Sequence, residues 1–381
     1  MKKKILSLLS LLITCTTLAT AQETLTIKGE VTGDLKGLTH VYLYGKGHNM
    51  DTTEIVNGRF QFIIPYVKGF IPMLCDEYCF KKYGGFRVFP ILVDRPGTIE
   101  IKNIDITKDM ISGTITGIKS AEDFQEYSNQ EMKLSEEVSA ELFKKHGSIP
   151  AFPADGKVTP EFAAFAKEQQ ELTSKKSGSI IEAFIKSHPD SYASVFVLSG
   201  SGINVLQPAD LERLYHMLSK NLQDSEEGMS IPNYLLGLKN SKEGNVVNNF
   251  TLPTDKNTTR DFKQFRGKYV LIDFWASWCG PCKQSFPHMK DIYQKFKSDK
   301  FEIYSISIDK KKAEWLRELK TQQLPWLQAI DDKDIAHKYF GVTAVPTTFL
   351  IDPDGKIVMK EIGFTPDGLI EKKLVDLFGG K

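Results

Sequence analysis

Cysteine is scarce in this chain. There are five among 381 residues, placed as Cys15, the pair Cys75 and Cys79, and the pair Cys279 and Cys282. After Cys282 the next histidine is His288, and no second Cys or His stands nearby. A Cys₄ or Cys₂His₂ zinc site therefore lacks its second ligand pair. Lys283 rather than histidine follows Cys282, which excludes a c-type haem attachment. Net charge is equally sparse: 49 basic residues stand against 48 acidic ones, a formal +1. That balance argues against a nucleic acid partner, which calls for a basic surface. Beyond the first residues no long apolar stretch occurs, so the mature chain is expected to be soluble. No convincing internal repeat is present.

What the chain does have is Cys279-Gly280-Pro281-Cys282, set directly after an apolar run. The run from Tyr269 to Trp275 is short, apolar and rich in aromatic and β-branched residues, so it reads as a buried strand. After Pro281, Phe286, Met289, Ile292, Tyr293 and Phe296 recur at roughly helical spacing. Cys279 then sits at a strand-to-helix junction, facing the unpaired N–H groups and positive end of a helix. Such placement lowers a thiol pKa from roughly 8.5 toward about 7 or below. Cys279 is the expected exposed nucleophile. Cys282, one turn further on and more buried, would resolve the mixed disulfide. The implied cofactor is none beyond the redox-active disulfide itself, with no metal.

Asp273 lies six residues before Cys279, inside the apolar run. Alternation puts it on the same strand face as Trp275. Burial would raise its pKa and suit it to accept a proton from Cys282. The alternative is a half-exposed strand residue with no chemical part.

The segment from Val270 through Cys282 resembles the active-site segment of thioredoxins, most closely the TlpA/ResA-like envelope branch. Upstream, Asn249 to Pro253 and Phe262 to Lys268 look like that branch's lead-in, an extra hairpin and then Gly-Lys before the central strand. Downstream, Gly341 to Asp352 looks like its segment with a cis-proline, followed by a hairpin turn at Asp354-Gly355. The resemblance covers about residues 244–381. It implies a thioredoxin fold, a central mixed sheet flanked by helices. It implies that Pro346 is the cis-proline facing the dithiol and that Val345 offers backbone groups to a bound peptide. A trans proline opening the next strand is the alternative. Trp278 matches the tryptophan that flanks the attacking cysteine and would pack over the site, and Pro287 the proline that kinks the active-site helix. The branch often carries a further buried acid near the dithiol, which has no assigned position here. Gly280 and Pro281 are the pair found in reducing thioredoxins; the absence of a histidine between the cysteines argues for a reductant.

Met1 to Lys4 is positively charged, residues 5–18 are apolar, and Ala19-Thr20-Ala21 is a small-x-small site. Together they read as a secretory signal peptide cleaved after Ala21. Lipid attachment at Cys15 is disfavoured, because Thr14 replaces the small residue normally required before it. Export to the periplasm or envelope implies disulfide-bearing envelope proteins as substrates and a membrane electron donor for recharging. Substrates could include apocytochrome thiols (cytochrome c biogenesis), mispaired secreted proteins or sulfenates. A homo-oligomer is compatible with the sequence.

The expected organisation is a signal peptide over 1–21, a β-rich sandwich-like domain over 22–118, a helical region over 119–240 and the thioredoxin-like domain over 241–381. Runs at 24–31, 41–44, 59–64, 86–93 and 98–104 read as strands of a small antiparallel sandwich or barrel, with a hairpin at Asn57-Gly58. Helical patterns follow, as one helix or two from residue 120, one over 162–185 and shorter ones over 191–199 and 209–218. Residues 150–160 read as a break and 239–247 as a polar linker. Cys75 and Cys79 could form a local disulfide. In an extended strand they would stand roughly 13 Å apart, so the segment would have to bend.

Two other functions compete with thiol–disulfide exchange. A thiol peroxidase would carry Pro and Thr upstream of its reactive cysteine, at positions occupied here by Ile272 and Ala276. An envelope binding or adaptor protein would act through the N-terminal regions instead.

Overall fold

The computed structural model describes residues 23–35, 37–45, 48–69, 71–77, 88–105, 113–148, 150, 159–364 and 368–379. The signal-peptide segment with Cys15, residue Cys79, and most of the 150–160 break lie outside these. The chain divides into two compact units, Met1–Glu126 and Tyr127–Lys381.

In the first unit, β-branched and aromatic runs alternate with polar residues, and among the described residues eight strands form: β1 (Thr24–Thr32), β2 (His40–Gly45), β3 (His48–Glu54), β4 (Arg59–Pro65), β5 (Met73–Asp76), β6 (Phe89–Pro90), β7 (Gly97–Asp105) and β8 (Thr114–Thr116). They make two four-stranded sheets, ordered β4-β1-β7-β8 and β3-β2-β5-β6. Leu25, Ile27, Phe60, Phe62 and Ile99 from the first sheet share one core with Val41, Leu43 and Leu74 from the second. This is a sandwich, but not a purely antiparallel one, because β1 and β7 pair in parallel. The Asn57-Gly58 turn is present with both residues at positive φ, 51° and 73°. It closes a two-residue hairpin turn, with Val56 and Arg59 exchanging backbone N–H···O bonds at 2.8 and 3.0 Å, although the longer strands beyond it, β3 and β4, lie in different sheets. The apolar run at 86–93 yields only the two-residue β6 among its described residues.

Helices follow: α1 (Lys119–His146), α2 (Pro160–Ser187), α3 (Tyr192–Val197), α4 (Ile203–Val205), α5 (Pro208–Tyr215), α6 (Lys220–Gln223) and α7 (Glu226–Asn240). α1 is one uninterrupted helix, and the boundary between the units falls inside it. α2 starts where Thr159 caps the Phe162 N–H and Pro160 supplies a preset φ.

The remaining elements are β9 (Thr251–Pro253), β10 (Thr259–Asp261), β11 (Tyr269–Trp275), α8 (Gly280–Phe296), β12 (Phe301–Ser307), α9 (Lys312–Gln322), β13 (Leu327–Ile330), α10 (Ile335–Phe340), β14 (Thr347–Ile351), β15 (Ile357–Ile362) and α11 (Leu369–Phe378). β13-β12-β11-β14-β15 form a mixed sheet. β11, β12 and β13 run parallel, while β14 and β15 run antiparallel to their neighbours. β9 and β10 are the extra hairpin. α8 and α11 cover one face through Met289, Ile292, Phe296, Ile370 and Leu374; α10 covers the other through Ile335 and Phe340. This is a thioredoxin fold.

Residues 239–247 are not a loose linker. Lys239 and Asn240 complete α7, and Val246 bridges Lys356 beside β15. α7 packs on α10 where Gly237 meets the His337 carbonyl and Gly341 so closely that a Cβ at 237 would overlap both. Gly341 ends α10 at φ 57°, a conformation that suits glycine.

Candidate active site

The site grows out of the carboxyl end of β11. Alternation turns Leu271, Asp273 and Trp275 to the α8 face, and the chain then makes a short turn into α8. That turn is pinned by Asp309, a 3% exposed carboxylate just beyond β12. Ser277 N–H and Oγ donate to its two oxygens at 2.9 and 2.7 Å, and Ser307 Oγ donates at 2.6 Å. Asp309 escaped the sequence reading because its partner lies 32 residues away. The only local hint was a carboxylate ending an apolar run.

Cys279 is the N-cap of α8, and its Sγ accepts the Cys282 N–H at 3.1 Å. Gly280 opens the helix and Pro281 falls in its first turn, where a missing N–H costs nothing. Cys279 and Cys282 are disulfide-bonded with Cα atoms 5.3 Å apart. Cys279 is less exposed than the sequence implied: 4% accessible, against 0% for Cys282. In this closed form it packs with Trp275, Ala276, Phe286, Trp315 and Val345, which cover it on the inner side. Trp278 directly precedes Cys279. It is 64% exposed, so the indole is presented to solvent beside the site. Pro287 lies inside α8 and withholds one helical N–H.

The Val345–Pro346 bond is cis. The Val345 carbonyl oxygen lies 3.5 Å from Cys279 Sγ, so the loop before β14 closes over the attacking sulfur. Pro346 also lines a cavity of about 40 Å³ with Asp273, Ser285, His288, Met289 and Thr348. This exceeds the roughly 10–15 Å³ a water molecule needs. Asp273 is 2% exposed, which rules out the half-exposed alternative. Burial pushes its carboxyl from 3.8 up to about 6, opposed by the Ser305 hydroxyl, which donates to Oδ2 at 2.7 Å. His288 faces Glu371 at 3.4 Å. Among the described residues no group of His, Cys, Asp and Glu could hold a metal ion.

Cys75 is buried in β5, apart from this site in the sequence and in the other unit. Its pairing with Cys79 falls outside the described residues. Among those residues no helix is long and apolar enough to cross a membrane.

Comparison with known proteins gives the same region. The AhpC/TSA family model matches residues 244–360, less than half of the chain. Thiol-disulfide oxidoreductase ResA of Bacillus subtilis is 32% identical over 145 residues, covering 38% of this chain and 80% of that protein. ResA of Bacillus thuringiensis subsp. konkukian is 33% identical over 117 residues, covering 31% of this chain and 68% of that protein. Among solved structures, the thioredoxin domain of a thiol-disulfide oxidoreductase from Bacteroides vulgatus is 31% identical, covering 35% of this chain and 98% of that one, with a TM-score of 0.33.

Proposed function

This chain belongs to the ResA family of thiol-disulfide oxidoreductases, and from that premise we propose that it is an exported reductant of disulfides in envelope proteins, working through Cys279 and Cys282. The observation that carries the reading is a cysteine capping a helix, bonded to its neighbour one turn on and overlain by the loop before a cis-proline.

In the first step the Cys279 thiolate attacks one sulfur of a substrate disulfide. A mixed disulfide forms and the other substrate sulfur leaves as a thiolate. The Cys282 N–H and the start of α8 favour the charged sulfur. Val345 and Pro346 hold the incoming strand against it, and the exposed Trp278 indole offers an apolar contact beside it. In the second step Asp273 takes the Cys282 proton. The two are not directly hydrogen-bonded among the described residues, and the cavity beside Asp273 has room for a water to carry the proton. Cys282 then attacks Cys279 Sγ, the substrate's second thiolate leaves, and the Cys279–Cys282 disulfide is left. Two electrons have passed to the substrate, and a membrane donor returns the pair to the dithiol.

Export follows from the charged, apolar and small-residue pattern of residues 1–21. The Gly280-Pro281 pair supports the reducing direction. A dithiol potential near thioredoxin's, about −270 mV, is expected, whereas one near DsbA's, about −120 mV, would make the protein an oxidant. The direct test is Cys282→Ala. In cells it should accumulate covalent partners on Cys279 that dithiothreitol releases. No adducts, together with a wild-type dithiol inert toward model disulfides, would overturn the proposal.

A further inference from the structure

Asp273 is held by a partner that is itself held. β11 and β12 run parallel with Asp273 opposite Ser305, so both side chains turn to the α8 face. Ser305 Oγ donates to Asp273 Oδ2 at 2.7 Å, and Trp326 Nε1 donates to Ser305 Oγ at 2.7 Å. All three residues are buried, at 2%, 0% and 5% exposure. An indole N–H can only donate. Ser305 Oγ must therefore accept from Trp326, and its single proton points at the carboxylate. The indole is fixed in turn, edge-on to Tyr293 at 5.5 Å and packed with Met289, Ile292 and Ile303.

We infer that Ser305 and Trp326 are positioning residues that hold Asp273 as a hydrogen-bond acceptor and so set the pH at which it takes the Cys282 proton. The inference rests on the role proposed for Asp273 above. A hydroxyl locked as donor stabilises the carboxylate over the acid. It thereby offsets part of the desolvation that burial imposes and keeps Asp273 able to lose its proton again near neutrality. Other charged groups face the cavity: His288 from α8, Glu361 from β15 and Glu371 from α11. They are engaged elsewhere. His288 pairs with Glu371 at 3.4 Å, and Glu361 accepts the Leu369 and Ile370 N–H groups at 3.3 and 3.4 Å. The bond to the Asp273 carboxyl comes from Ser305.

The test is made on the full chain with Ser305→Ala, Trp326→Phe and Ser305→Thr. Two readouts are followed against pH: the Asp273 carboxyl by carbon NMR, and the rate at which Cys282 releases a preformed mixed disulfide on Cys279. A hydrogen bond to a charged group contributes about 1.5–3 kcal/mol, so Ser305→Ala should raise the Asp273 midpoint by about 1–2 pH units. Trp326→Phe should raise it by less, because the hydroxyl remains but can turn away. Ser305→Thr should restore it. In the unmutated protein the Trp326 indole N–H resonance should titrate with the Asp273 midpoint, a measurement that survives any folding failure of the variants. A carboxyl midpoint unmoved in both Ser305→Ala and Trp326→Phe, or an indole resonance indifferent to it, overturns the inference. Asp273→Asn separates this from the premise. Release with an unchanged pH profile in that variant removes Asp273 from the reaction, whatever Ser305 does to its titration.

Discussion

The two faces of β11 make an instructive pair. Six of its seven residues are buried, so both faces are core. On one, Val270, Ile272 and Phe274 pack into a largely apolar layer with Phe340, Phe349 and the buried ring of Tyr304. On the other, Leu271 and Trp275 flank Asp273, and beyond them lie the cysteines. Exposure does not separate packing from chemistry here; the neighbours do. α10 brings Ile335, Ala336 and Phe340 to the first face. The second receives the amino end of α8, with its unpaired N–H groups, and the hydroxyl of Ser305. A buried polar group costs least where such partners wait for it.

The sharpest way to break the comparison is Cys279→Ser. It should abolish reduction of a small model disulfide, followed spectrophotometrically, while denaturant unfolding under reducing conditions shifts little. The opposite face should respond in reverse. Phe274→Ala removes a fully buried ring and should cost about 3–5 kcal/mol in denaturant unfolding. The protein that remains folded should still exchange thiols at the native rate.

Asp273→Asn tests whether chemistry has a stability cost. The folded carboxyl has a pKa of about 6, above its ordinary 3.8. The fold thus favours the protonated acid, and that contribution is complete below 3.8 and lost as pH rises through about 6. At pH 7 the ionised carboxyl should cost up to about 3 kcal/mol, so the Asn variant should be the more stable protein there. The difference should close toward pH 4. Its mixed-disulfide release should slow by about 10²-fold at pH 7, since a proton acceptor is gone. A variant no more stable at pH 7 than the unmutated chain would show that the two faces bear burial alike. The smallest effect is expected away from both faces. Gly237→Ala should cost about 1–3 kcal/mol by wedging α7 off α10, with the dithiol rate unchanged.

Much of this was legible before any coordinates. A strand period, a helical period and a Cys-X-X-Cys at their junction place Cys279 at a helix start, because local geometry alone decides that. Asp273 announced itself as a carboxylate in an apolar run. The thioredoxin-like sheet and most strands of the sandwich could be read from alternation. What local pattern left open shares one cause. The Asn57-Gly58 hairpin turn forms as its local chemistry implies, but which sheets the longer strands beyond it join depends on partners distant in sequence. Residues 239–247 look like a linker by composition, and they are ordered by contacts with Lys356, about a hundred residues later. The resemblance gave Trp278 a place over the site, whereas how far it is exposed depends on what surrounds the finished site.

Short-range pattern was enough for the element types, the dithiol and its helix-capping sulfur, since each depends on residues within a turn or a strand of one another. Only folding could decide that Ser305, Trp326 and Asp309 serve the site. Their side chains reach it through strand register and cross-sheet packing, and neither leaves a mark in any local stretch of sequence.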